Sequence, residues 1–135
     1  MTASRSMLDT SPSRTGYATE ALAACIDACF ACAQACVACA DACLAEETVA
    51  EMRRCITLDG NCADICQATG RVLSRQTMYE GAVTEALLGA CRLACERCAE
   101  ECERHGQHHD HCRVCAETCR ACEAACAELV DARTG

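Results

Sequence analysis

The stretch Cys25–Cys43 reads CIDACFACAQACVACADAC, with thiols at 25, 29, 32, 36, 39 and 43. Steps that alternate between four and three put all of these side chains on one stripe of an α-helix, whereas a strand would need steps of two. Ala24, Ala28, Ala31, Ala35, Ala38 and Ala42 sit between them. Alanine is the strongest helix former and small enough to let a neighbouring rod come close. The spacing therefore predicts a helix from Thr19 to about Leu44 whose inward face is sulfur.

The rhythm returns along the rest of the chain. After a polar link at Ala45–Thr48, a second helix is expected from Val49 to about Leu73, with Cys55, Cys62 and Cys66 inward and Met52, Asp59, Thr69 and Leu73 in the same frame. Ser74–Gln76 reads as a turn. A third helix, Thr77 to Arg104, carries Cys91, Cys95, Cys98 and Cys102, and its first half, Met78–Leu88, has no thiol. Gly106, among four histidines, marks the next turn, since glycine readily ends a helix. A fourth helix starts near Asp110, carries Cys112, Cys115, Cys119, Cys122 and Cys126, and frays beyond Val130. Four helices with one stripe each and short links predict an all-α, antiparallel up-down-up-down four-helix bundle with a Cys-lined core over residues 17–131. Residues 1–16 are expected to be a flexible N-terminal segment.

Composition fits this reading. A chain of 135 residues is the size of one domain. Its 52% apolar content includes 18 Cys, with no Trp, one Phe and two Tyr, so an ordinary core of interlocking Leu, Ile and Phe is excluded. The net charge of −8 argues against nucleic-acid or anionic-membrane partners. All twelve basic residues are Arg, which removes Schiff-base chemistry. No 18-residue stretch is free of charge, so no membrane span is expected. Residues 1–16 hold no apolar run of signal-peptide length, and cytoplasmic residence is expected. In a reducing compartment so many thiols point to metal or redox chemistry rather than a disulfide scaffold.

Side chains at i,i+3 and i,i+4 of a helix stand about 5 to 6 Å apart at Cβ, too far for comfortable disulfides but close enough for two sulfurs to grip one ion. Eight CxxxC steps occur: 25/29, 32/36, 39/43, 62/66, 91/95, 98/102, 115/119 and 122/126. Counting about 1.5 Å per residue from the turns predicts successive layers. Cys43, Cys102 and Cys112 come first, then Cys36, Cys55, Cys98 and Cys115. Cys32, Cys95 and Cys119 follow, then Cys29, Cys62, Cys91 and Cys122, and deepest Cys25, Cys66 and Cys126. Charge selects the metal. A zinc site with four thiolates keeps two negative charges, and several such sites would bury a large anionic excess. Cu(I) is soft, accepts two or three sulfurs, and at one ion per thiolate leaves a nearly neutral core, for a capacity of about 18 ions.

With these stripes, the His-rich turn HGQHHDH and no export signal, residues 18–130 resemble the cytosolic copper storage proteins of bacteria, Cys-lined four-helix bundles. The exported branch of that family is less similar. The resemblance implies reversible binding of many Cu(I) ions as multinuclear thiolate clusters and assembly as a homotetramer; a cytosolic copper chaperone is a candidate exchange partner that the sequence does not identify.

Other side chains are candidates on their own chemistry. His105, His108, His109 and His111 ring one mouth, where imidazole, a weaker Cu(I) ligand than thiolate, suits a relay inward; the alternative is a solvated turn. His111, nearest the thiol frame, is the strongest candidate for a cluster ligand. Met52 is either a soft ligand or a flexible core-filler. Asp59, inward between Cys55 and Cys62, needs compensation, either as an oxygen ligand, protonated when no metal is bound, or through an Arg. Asn61 either caps a cluster through its amide oxygen or lies on the helix surface. The run Glu96, Glu100, Glu101 and Glu103 reads as a solvated face paired with Arg. An iron–sulfur protein would need a local Cys loop with Pro, and a thiol–disulfide enzyme a lone CxxC in a βαβ setting; neither is present. Non-enzymatic Cu(I) storage is the leading reading, and a zinc or general heavy-metal thiolate buffer the alternative.

Overall fold

Each thiol stripe lies on a helix. The computed structural model of the protein describes residues 2–134. Helix α1 is Ala3–Thr10, α2 Thr19–Ala45, α3 Arg53–Leu73, α4 Gly81–His105 and α5 Asp110–Asp131, with a 3₁₀ turn at Val49–Met52 ahead of α3. The four long helices form a square in which α2 packs on α3 and α5, and α4 on α3 and α5. This is the antiparallel bundle the stripes require. Asp110 in the first turn of α5 and Arg104 and His105 in the last turn of α4 complement the helix dipoles.

All eighteen cysteines are free and buried. The other end of the bundle is filled differently: Tyr17, Leu22, Leu73, Leu88 and Leu129 are at most 1% exposed. There the Tyr17 and Tyr79 hydroxyls lie 2.8 Å apart with their rings edge to face. The Ala18 N–H donates to the Ala132 carbonyl at 2.8 Å, tying the start of α2 to the end of α5. Aliphatic and aromatic packing thus stoppers the end farthest from the His-rich turn.

Three expectations change. The N-terminal segment, expected to be flexible, holds a helix at Ala3–Thr10: α1 lies against α2, with Leu8 packed on the core and Ser4 Oγ donating to Asp27 at 2.7 Å. Its eight residues carry only Ala3, Met7 and Leu8 as apolar side chains and bury none of them fully, too short a pattern to announce a helix. Helix α4 begins at Gly81 rather than Thr77, because Met78 takes a left-handed φ of 55° and interrupts the path. Helix α3 begins at Arg53 rather than Val49, since Met52 (φ −100°, ψ 5°) leaves helical geometry. Thr19–Ala45 is long and apolar enough to cross a membrane by length and composition, but half of its most apolar stretch is buried in the bundle and Asp27 and Asp41 interrupt it, so the expectation of no membrane span is not overturned.

Candidate metal centre

The later start of α3 fixes the layers. Counted from Arg53, Cys55 lies two residues from the mouth, level with Cys43 and Cys112, and Cys62 lies nine in, level with Cys36 and Cys119. The contacts agree: Cys55 Sγ is 3.7 Å from Cys102, Cys62 is 3.8 Å from Cys32, and Cys66 is 3.6 Å from Cys95. The thiols of α3 therefore stand one layer nearer the mouth than a count from Val49 gives. At the deepest level α3 offers Thr69 and Leu73, and Cys25 meets Cys126 at 3.6 Å.

The sulfurs form one continuous network. Cys32 lies 3.9 Å from Cys36 and 3.7 Å from Cys119, and Cys36 lies 3.8 Å from Cys115 and 3.9 Å from Cys98. Deeper in, Cys122 is 3.9 Å from Cys29 and Cys126 is 3.8 Å from Cys91. Among the described residues, tetrads with all their sulfurs within 4.8 Å of one another include 29/91/122/126, 32/66/95/122, 32/36/62/119 and 36/98/115/119. Cys32, Cys36, Cys119 and Cys122 are each shared between two of these. Shared corners suit a soft monovalent ion bridged by thiolates better than separate tetrahedral sites. Burial pushes the Cys43 thiol up and raises Cys112 to about 12, which favours the protonated form of these two thiols, whereas hydrogen bonds from Cys102 and Cys39 lower Cys55 at the same level.

Asp59 stands within the column, fully buried, with Oδ1 accepting from Cys98 at 3.0 Å, Cys115 at 3.4 Å and Cys102 at 3.7 Å. Burial, then the nearby Cys115 charge, raises its carboxyl to about 8. Thiols rather than an Arg surround it.

At the mouth, His111 Nδ1 lies 3.4 Å from Cys39 Sγ and 3.6 Å from Cys112 Sγ, and with Cys39, Cys43 and Cys112 it forms a further tetrad. His109 and His105 stand beside it, with ring centroids 5.7 Å from His111 to His109 and 6.5 Å from His109 to His105. Met52 is buried in the core beside this end. Two candidates fall outside it: His108 is exposed on the turn, and Asn61 is exposed on the outer surface of α3. Asn61 sits one residue before Cys62, and on a helix adjacent residues point about 100° apart, which turns its amide away from the column.

Two carboxylates that the sequence did not place there, Glu46 and Glu101, belong to the mouth. Glu46 Oε2 lies 2.8 Å from both His109 Nδ1 and His111 Nε2. Glu101, expected on a solvated face, is 5% exposed and accepts from His105 Nε2 at 3.0 Å, with Arg104 and Arg54 at 3.2 and 3.6 Å. The i,i+4 spacing of Glu101 and His105 was the available signal; for Glu46 there was none, because its partners are more than sixty residues away.

A profile of the copper storage protein family matches residues 18–131. The copper storage protein Ccsp of Streptomyces lividans, in a structure loaded with 10 copper equivalents, is 53% identical, with a TM-score of 0.94 over 96% of this chain and 99% of that one. A second structure from that organism, a cytosolic copper storage protein carrying five coppers, is 56% identical, with a TM-score of 0.83 over 85% of this chain and 96% of that one. The cysteine-rich protein YhjQ of Bacillus subtilis (strain 168) is 35% identical over 106 residues, 78% of this chain and 93% of its own length. The sulfur column, its histidine mouth and these matches together make the chain a member of the copper storage protein family.

Proposed function

We propose that this protein is a non-enzymatic, cytosolic store for Cu(I), holding about one ion per thiol, about 18 per chain, in clusters bridged by shared sulfurs. The observation that carries this reading is the sharing of Cys32, Cys36, Cys119 and Cys122 between tetrads. Bridging lets neighbouring ions use the same thiolate and keeps the buried charge near zero. His111, Cys39, Cys43 and Cys112 form the outermost cluster, Asp59 supplies an oxygen donor inside, and Met52 fills space or lends a thioether at the mouth. Burial of every thiol leaves no sulfur nucleophile within reach of a substrate larger than an ion. The cytosolic location follows the Streptomyces lividans protein of the same fold.

Subunits associate as a homotetramer in this reading, through the outer face of α2, where Ala24, Ala31 and Ala38 flank Val37 and Leu44, exposed by 61% and 62%. A cytosolic copper chaperone exchanges ions at the mouth. Light scattering should give a mass near four times 14.3 kDa.

Anaerobic titration of the reduced protein with Cu(I) against a chromophoric chelator tests the storage reading. Saturation well above four ions per chain is expected, with about one proton released per ion and a rise in melting temperature. Saturation at one to four ions would overturn it. A parallel Zn²⁺ titration addresses the thiolate-buffer alternative, which requires zinc to bind stoichiometrically and resist displacement by Cu(I).

A further inference from the structure

Building on the storage reading, we propose that Glu46 is the positioning residue of the mouth: one carboxylate oxygen holds His109 and His111 together and dictates which nitrogen of each ring meets an incoming Cu(I) ion. Glu46 Oε2 lies 2.8 Å from His109 Nδ1 and 2.8 Å from His111 Nε2. An ionised carboxylate can only accept hydrogen bonds, so the nitrogen facing it on each neutral ring carries the hydrogen. The lone pair is then on the opposite nitrogen, Nε2 of His109 and Nδ1 of His111. The latter points into the thiols, 3.4 Å from Cys39 Sγ and 3.6 Å from Cys112 Sγ.

One acceptor therefore turns two adjacent rings in opposite senses. His109 offers its free nitrogen away from Glu46, and His111, whose ring centre is 5.7 Å distant, offers its own to the first sulfur cluster. A histidine that donates its second N–H to a carboxylate is held in one tautomer and orientation and is a more basic ligand. Glu46 does not itself suit Cu(I), since a carboxylate oxygen is a hard donor. Its place is set by the same helix end that carries the cluster: it is the C-cap of α2, and its N–H donates to the Cys43 carbonyl at 3.2 Å. The neighbouring Glu47 is exposed and serves as a control.

The test has two readouts. In reduced, metal-free, ¹⁵N-histidine-labelled protein, His111 should appear as the Nε2–H tautomer, and Glu46→Ala should abolish that preference while Glu47→Ala preserves it. In anaerobic stopped-flow mixing with a chelated Cu(I) complex, Glu46→Ala should weaken or slow the first uptake phase about ten-fold, leaving final capacity unchanged. Glu46→Gln keeps the shape of the C-cap and one acceptor oxygen without the charge; it should fall between Ala and wild type, and it serves if the Ala variant does not fold. A wild-type tautomer and uptake rate in Glu46→Ala, or in Glu46→Gln where that variant stands in, would overturn the proposal. If wild-type protein itself saturates at four ions or fewer, the storage reading fails; if wild type fills and the Glu46 variants match it in both readouts, only the role of Glu46 fails.

Discussion

Asp59 Oδ1 lies 3.0 Å from Cys98 Sγ, at the level of the column where α3 presents a carboxylate in place of a thiol. Burial raises that carboxyl from 3.8 to about 8, so the folded, metal-free protein keeps it protonated where the unfolded chain would release the proton. The stabilising effect of the neutral form is complete below pH ~4 and is lost as the pH rises through about 8. Asp59→Asn should therefore match wild type at pH 4 and exceed it by about 2–5 kcal/mol at pH 8. Urea unfolding of both reduced proteins across this range isolates the effect, since the thiols are common to both.

Cys36 belongs to two tetrads, whereas Cys25 meets its neighbour Cys126 at the stoppered end. Cys36→Ala should remove more than one Cu(I) from the saturated count, and Cys25→Ala about one. Each should cost the metal-free protein about 1 kcal/mol, the effect of deleting a small buried group. Chelator titration and urea midpoints separate the two effects.

Large aliphatic side chains are concentrated away from the mouth. Leu88→Ala, at a fully buried site, should cost about 2–4 kcal/mol, whereas Leu93→Ala, 52% exposed on the same helix, should cost under about 0.5 kcal/mol. Thermal unfolding of the metal-free protein reads the difference, and a comparable loss at both sites would contradict the assignment of the core.

Glycines within helices divide by what a side chain would meet. A Cβ at Gly89 has open space, so Gly89→Ala should stabilise α4 by about 0.5–1 kcal/mol. At Gly70 the same atom would fall 2.8 Å from Phe30 Cζ, so Gly70→Ala should lose about 1 kcal/mol despite its better helix propensity. Neither change should alter copper capacity.

The fold was legible because thiols at steps of three and four can share one face only on a helix, and Cys25–Cys43 alone fixed the period. The four rods and the inward placement of Asp59 follow from that pattern, while the links before α3 and α4 are longer than it indicates. The register of α3 was not legible, since Val49–Met52 continues the apolar period while its backbone winds as a 3₁₀ turn; pattern reports which face is buried, not where the α-helical rise begins. Helix α1 has no buried stripe to announce it. The acidic groups at the mouth were hidden for a different reason. Glu46 and Glu101 resemble surface residues in sequence, and only the meeting of the α2 end with the His-rich turn makes them partners of imidazoles.

The plug of Tyr17, Leu22, Leu73, Leu88 and Leu129 has a consequence for the order of traffic. A magazine closed at its base can be filled and emptied only through its top, so cargo lodged beside Cys25 and Cys126 should be the slowest to come out, whatever its affinity. The protein can then keep a quickly drawn reserve near the histidines and a long-term deposit behind it, with depth rather than chemistry setting the rate of withdrawal.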